Sequence, residues 1–207
     1  MNGKPTRMFM DDPSIQWRNG KPDYSKADEV YLQGRTKHHE VGSLEEIVSN
    51  IIKTFEMEAQ HKVRAEDFGI VTSDFKMNTN GGRYFTIPNL IERGTYNLFL
   101  DDSPLYDASK ETRESSDNDF KTTFPDGFSW EVLEVIHGPP KLVFTWRHWA
   151  TMTGPFKGNE PTGQLLEMYG CVTADVSPDN KLQCVHFYVD ANPFISKLRN
   201  DRCPLMH

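Results

Sequence analysis

Alternation with a period of two residues dominates the last third of the chain. Residues 128–137, 141–149, 164–176 and 181–190 set apolar and ring-bearing side chains against polar neighbours as long strands do. Within 141–149, Leu142, Phe144, Trp146 and His148 fall on one side and Val143, Thr145, Arg147 and Trp149 on the other. Both sides carry rings or polar-ended groups, so this strand is expected to be covered on both faces. Gly138-Pro139-Pro140 and Ser177-Pro178-Asp179-Asn180 have the chemistry of tight turns and predict two hairpins. Between them, the Gly- and Pro-rich 151–163 is long enough to form a rim or a lid.

Upstream the period becomes helical. Ser43 and Glu46 form an S-x-x-E capping box, and Leu44, Ile47, Val48, Ile51, Ile52 and Phe55 continue one apolar stripe towards Ala59 and His61. A strand is expected over 67–78, and Asn80-Gly81-Gly82 then supplies the positive-φ residues of a hairpin into 83–86. Thr86 followed by Pro88 opens a second predicted helix to about Leu100, and 107–124 reads as a third. Asn192-Pro193 starts a short terminal helix through Leu198. Residues 1–42, rich in proline, glycine and charge, read as an irregular arm whose Trp17 and Tyr24 pack down on a domain spanning 43–200. Helices followed by an antiparallel run of long strands predict an α+β fold. The late turns are too short for the crossovers of a parallel sheet.

Composition narrows the function. With 207 residues, 37% apolar and 12% aromatic, the chain can build one ring-rich core. A formal charge of −7 without a Lys/Arg cluster argues against nucleic acid as a partner. No segment approaches the length of a membrane span and the start shows no signal-peptide run, so a soluble, cytosolic protein is expected. Three cysteines, Cys171, Cys184 and Cys203, fit a reducing compartment, and Cys203 stands fifth from the end, outside a prenylation box.

The chain also resembles a known family from about Trp17 to Asp190. The carrying motifs are Trp17-Arg18-Asn19-Gly20 with Pro22 and Tyr24, Gly42-Ser43-Leu44-Glu45-Glu46, and Lys53-Thr54-Phe55-Glu56-Met57-Glu58 with His61-Lys62. Asn80-Gly81-Gly82-Arg83, the run from Phe124-Pro125-Asp126-Gly127 through Val132, Gly138-Pro139-Pro140 and Arg147-His148-Trp149 follow in order. Gly154-Pro155-Phe156-Lys157-Gly158 with Pro161-Thr162-Gly163 completes the set. They resemble the plant pathogen-related protein family, itself similar to the SnoaL-like polyketide cyclases of the nuclear transport factor 2-like superfamily. This resemblance implies a conical barrel in which a curved antiparallel sheet wraps around helices and encloses an apolar pocket. In the superfamily such pockets serve isomerases, dehydratases, cyclases and epoxide hydrolases, or bind without reaction. Two residues after Arg147, where epoxide-hydrolase-like members pair arginine with aspartate, stands Trp149, whose indole is no base.

Several residues are candidates for chemistry in a dry pocket. His148 shares a strand face with Phe144 and Trp146 and is a candidate for proton transfer, which His186 parallels on its own strand. Asp190 is either a base or the cap of the terminal helix, and Tyr188 a candidate donor to an oxyanion. Glu167 and Arg147 form an ion pair, or else leave Glu167 as a general base. Phe55 and His61 on the first helix, with Trp130, Phe144, Trp146, Trp149 and Tyr169, offer a wall for a flat ligand or a plain core. Glu58 and His61 have half the spacing of a di-iron site, but no second E-x-x-H exists and no metal or cofactor is expected. Cys171 and Cys184 show no base adjacent in sequence. The leading expectation is a cofactor-free enzyme of secondary metabolism, a cyclase (pericyclic closure included), isomerase or lyase acting on a polyketide- or terpenoid-type molecule. Its rivals are a stress-related carrier of a hydrophobic ligand and a homodimer joined through the aromatic sheet face.

Overall fold

In the computed structural model, residues 3–200 are described; Cys203 lies outside them. The helices are α1 (Ser25–Gly34), α2 (Leu44–His61), α3 (Ile87–Arg93), α4 (Thr95–Leu100), α5 (Arg113–Thr123) and α6 (Asn192–Leu198). The strands are β1 (Val71–Thr79), β2 (Phe85–Thr86), β3 (Ser129–His137), β4 (Lys141–Thr151), β5 (Leu165–Val176) and β6 (Leu182–Val189). One six-stranded sheet in the order β2-β1-β6-β5-β4-β3 bends around the helices. The expected α+β architecture is present with one refinement: β1 joins β6 in parallel, and every other pair is antiparallel.

Bends arise where the ladder is interrupted. Register shifts fall between Val132 and Glu134 and between Val135 and His137 in β3, and between Asp175 and Val176 in β5. Gly170 adds a crease opposite Trp146, because a Cβ there would lie 2.3 Å from the indole and 2.5 Å from the Tyr188 carbonyl oxygen. Along β4 the two predicted faces separate. Leu142, Phe144 and Trp146 enter the core beneath α2, while Arg147 and Trp149 turn outward and are covered by α1 and the segment after it.

Helix α2 starts where expected: Ser43 Oγ accepts from Glu46 N at 3.2 Å, while the Glu46 carboxylate reaches Gly42 N rather than Ser43 N. Of its apolar stripe, Val48, Ile52, Phe55 and Ala59 are buried. Leu44, Ile47 and Ile51 instead line an open groove of about 420 Å³ with Met8, Phe9 and Leu142. The predicted helix from Thr86 to Leu100 is two helices, broken at Gly94, whose φ of 83° no continuous helix accommodates. Similarly, 107–124 resolves into a single 3₁₀ turn (Ala108–Lys110) and α5. The side chain that joins these pieces is Arg113. Nearly fully buried, it donates to the carbonyls of Ala59 and Gln60, the otherwise orphaned oxygens near the end of α2, and to those of Leu90 and Ile91 in α3, which also accept from Gly94 N and Arg18.

The arm departs from its expected irregular form, since Ser25–Gly34 is helical. Beyond α1 the chain runs along the edge strand β3. There Glu131 accepts from Thr36 N, Thr36 Oγ1 and Lys37 N, and the His39 ring donates to Val132 O. These bonds cover a sheet edge that would otherwise stand open. Residues 151–163 are no lid: Phe156 is buried against Phe120, and Thr123 Oγ1 donates to Pro155 O at 2.9 Å.

Candidate functional site

A cleft of about 250 Å³ opens between α1, α2, α4 and the paired ends of β3 and β4, lined by Tyr24, Tyr31, Lys53, Glu56, His61, Tyr96, Phe128 and His148 among others. It narrows into an apolar hollow of about 70 Å³ bounded by Phe55, Phe99, Trp130 and Phe187, with Glu56, Thr95, Tyr96 and His148 shared by both parts. The backbone explains why these side chains meet. Trp130 and His148 are directly opposed across β3 and β4 and so share the inner face. Phe55, Glu56 and Gln60 point down from α2, and Tyr96 and Phe99 stand one turn apart on α4.

His148 stands at the junction. The imidazole lies 3.5 Å, centroid to centroid, from the Phe128 ring, and its Nδ1–H donates to Ser129 O at 2.8 Å. That bond leaves Nε2 unprotonated and without a protein partner. Burial, and after it the Lys53 ammonium, push this imidazole down to about 3 against the weaker opposing pull of the Ser129 carbonyl. His61 is held down to about 4, again by burial first and then by Lys121. Both rings are therefore neutral at physiological pH. Burial likewise raises the Tyr24 and Tyr96 phenols well above their usual value. Glu56 is the carboxylate of the cleft, accepting from Lys53 Nζ at 3.1 Å. At the floor, the buried Trp130 Nε1–H has no hydrogen-bond partner.

Of the residues expected at a site, Phe55, His61, Trp130 and His148 line this cleft. Phe144 and Trp146 lie beneath it as core, with Trp146 5.4 Å from Trp130. Strand alternation sends the others elsewhere. Arg147 is on the outer face, ion-paired with Glu131 at 2.8 Å and Glu167 at 2.7 Å, so Glu167 is not a free base. Trp149 stacks on Tyr31, and exposed Tyr169 donates to Glu167. Tyr188 and His186 also face outward. Asp190 is exposed on a separate polar recess, where its carboxylate accepts from Asn192 N at 3.0 Å. Glu58 does not share a site with His61: it is buried, accepts from Lys62 Nζ at 2.7 Å and binds the amides of Gly69 and Ile70. Among the described residues, no group of three His, Cys, Asp or Glu side chains is placed to hold a metal.

Glu56, Tyr96, Phe99 and Phe187 are among the cleft residues that the sequence did not single out, with Tyr31, Lys53 and Phe128. Glu56 lay inside one of the quoted motifs, and Tyr96 and Phe99 shared the i, i+3 spacing of one helix face, but neither signal distinguishes a cleft wall from core.

A bent sheet filled by helices, with a few polar groups converging on an aromatic cleft, is an α+β cone built around a small-molecule-sized site. The chain is 37% identical over 189 residues to the pathogen-related protein of Hordeum vulgare, covering 87% of this chain and 80% of that one. It belongs to the pathogen-related protein family. No family model matches it. Similar solved structures include a candidate polyketide cyclase from Acidithiobacillus ferrooxidans, at TM-score 0.46 and 17% identity over 79% of this chain and 100% of that one. IdmH from Streptomyces antibioticus is similar at TM-score 0.44 and 15% identity, covering 73% and 97% of the two chains.

Proposed function

We propose that the cleft binds a flat, largely apolar, oxygenated molecule of polyketide or terpenoid type and steers its cyclisation, isomerisation or dehydration. One observation carries this reading: His148 presents an unpaired Nε2 acceptor among aromatic rings, with its other nitrogen tied to Ser129 O. An acceptor held in place where the cleft meets an apolar hollow orients a ligand hydroxyl or enol. The unpartnered Trp130 N–H offers the complementary donor for a ligand carbonyl. An imidazole that titrates near 3 is a weak base, so we assign His148 to orientation and the proton-accepting role to Glu56. Holding a reactive chain folded supplies rate through orientation.

The same depressed basicity, together with the engagement of Glu56 by Lys53, favours a second reading in which the ligand is carried unchanged. Titration with a hydroxyanthraquinone, followed by Trp fluorescence, tests occupancy, and mass spectrometry of a polyketide-type substrate panel tests turnover. Binding is expected for the wild type and weakened about 10-fold in His148→Phe, which fills the space but removes the acceptor. For an enzyme, Glu56→Gln lowers turnover about 100-fold while affinity holds. A carrier gives no product with any variant, and failure of the wild type to bind overturns both readings.

A further inference from the structure

On the outer face of the sheet, away from the cleft, three side chains form a relay whose third member is distant in sequence. Cys184 and His186 stand two apart on β6 and share one face, with Sγ 3.3 Å from His186 Nε2. Asn78 is opposite His186 across the parallel β1–β6 pair, and its Oδ1 lies 3.0 Å from His186 Nδ1. The Asn78 amide donates its own N–H to Gly82 O at 3.2 Å, which fixes Oδ1 as the end that faces the ring. Nδ1 therefore carries the imidazole proton and Nε2 is the acceptor for the thiol. Nucleophile, base and orienter stand in the order that activated cysteines use.

Cys184 itself is 6% exposed, beneath more open neighbours on this face. The half-exposed rings of Tyr84 and Tyr188 flank the relay, with Tyr84 5.8 Å from His186. Lys76, paired with Cys184 in the ladder, places its ammonium 4.8 Å over the Tyr84 ring. Burial pushes the Cys184 thiol up, so it rests protonated and needs the imidazole to react. Cys171, on the neighbouring strand of the same face and less buried than Cys184, has its sulfur on the Val172 carbonyl with no imidazole bonded to it, and provides an internal comparison.

We propose that Cys184 is a covalent capture site for soft electrophiles, α,β-unsaturated carbonyl compounds in particular, with His186 as its base and Asn78 as a positioning residue. As Sγ bonds to the β-carbon, His186 Nε2 takes the thiol proton and the π electrons of the double bond move onto the carbonyl as an enolate. The imidazolium then returns that proton to the α-carbon. The product is a thioether, and the step needs no oxidant and releases no leaving group. Lys76 is the cation on hand for the enolate.

The test uses the full native chain and N-ethylmaleimide, an α,β-unsaturated imide, with timed quenching and peptide mass mapping to separate Cys171, Cys184 and Cys203. In the wild type Cys184 should be modified about 10-fold faster than Cys171. His186→Gln should bring Cys184 down to the rate of Cys171 while leaving Cys171 unchanged. Asn78→Ala should give a smaller loss, of about 3-fold, because the base remains but is no longer aimed. Circular dichroism checks folding, and the wild-type ratio stands without any variant. Equal rates at Cys184 and Cys171 in the wild type, or a His186→Gln rate within about 2-fold of wild type, would overturn the proposal. A cleft ligand should not protect Cys184, so this result is independent of the function proposed for the inner face.

Discussion

His148 couples the cleft to pH. Its folded-state value of about 3 lies below the ordinary histidine value of 6.5, so between these limits the unfolded chain takes up a proton that the folded one refuses. Stability therefore falls as pH falls through this window, by up to about 1.4 kcal/mol per pH unit for one such group. His61, held near 4, adds to the same slope, which flattens above pH 7 as the unfolded histidines lose their protons. Urea midpoints should drop between pH 6.5 and 5, above the carboxylate range, and the drop should be shallower in His148→Phe. The ring Cε1 resonance of His148 should show no protonation above pH 5. A midpoint near 6.5 would instead mean that water reaches the imidazole freely.

Helices α2, α3 and α5 meet at one buried guanidinium. Arg113 donates to four carbonyls at two helix ends; Leu90 O keeps Gly94 N and Ile91 O keeps Arg18 without it, but Arg113→Met takes the donor from Ala59 O and Gln60 O, at a cost of about 3 kcal/mol. Denaturant titration should show this without loss of helix content at low denaturant. Gly94→Ala belongs to the same junction: a Cβ at φ 83° would lie 2.9 Å from Arg113 Cγ, and about 1–2 kcal/mol should be lost. Because α4 carries Tyr96 and Phe99, that variant should also weaken ligand binding, whereas a change on the exposed recess, Asp190→Asn, should leave it alone.

Taken whole, the molecule depends on its N-terminal segment to finish the site. Tyr24 and Tyr31 form one wall of the cleft, and the segment is held by Glu131, which binds two amides, one hydroxyl and Arg147. Glu131→Gln removes the charge from that anchor and leaves Arg147 one ion-pair partner, Glu167, beside its bond to Gly34 O. Hydrogen exchange should rise across residues 25–39 and ligand affinity should fall, with β5 and β6 unaffected. Phe9 and Trp17 lie 5.6 and 5.9 Å from Lys62, covering the buried Glu58–Lys62 pair. Glu58→Gln should thus be among the most damaging single changes, at about 3–5 kcal/mol, because it strands a buried ammonium. If arm and cone fold as one unit, both variants unfold in a single transition.

Local periodicity determined a good deal on its own. Four long strands, their two turns and the capped α2 were legible because alternation and capping depend only on neighbours in the chain. His148 and Trp130 were legible as candidates for the same reason, each standing on an apolar face. Tertiary structure alone decided the rest. Whether a strand face looks into a cleft or out to solvent depends on register and bend, which put Glu167, Tyr188 and His186 outside and Glu56 and Tyr96 inside. The break at Gly94 packs against Arg113, 19 positions further along the chain, a contact that local sequence does not show. Cys184 and His186 are local neighbours on β6, but the Asn78 amide meets them only because β1 pairs in parallel with β6, a contact between distant segments that no local pattern encodes.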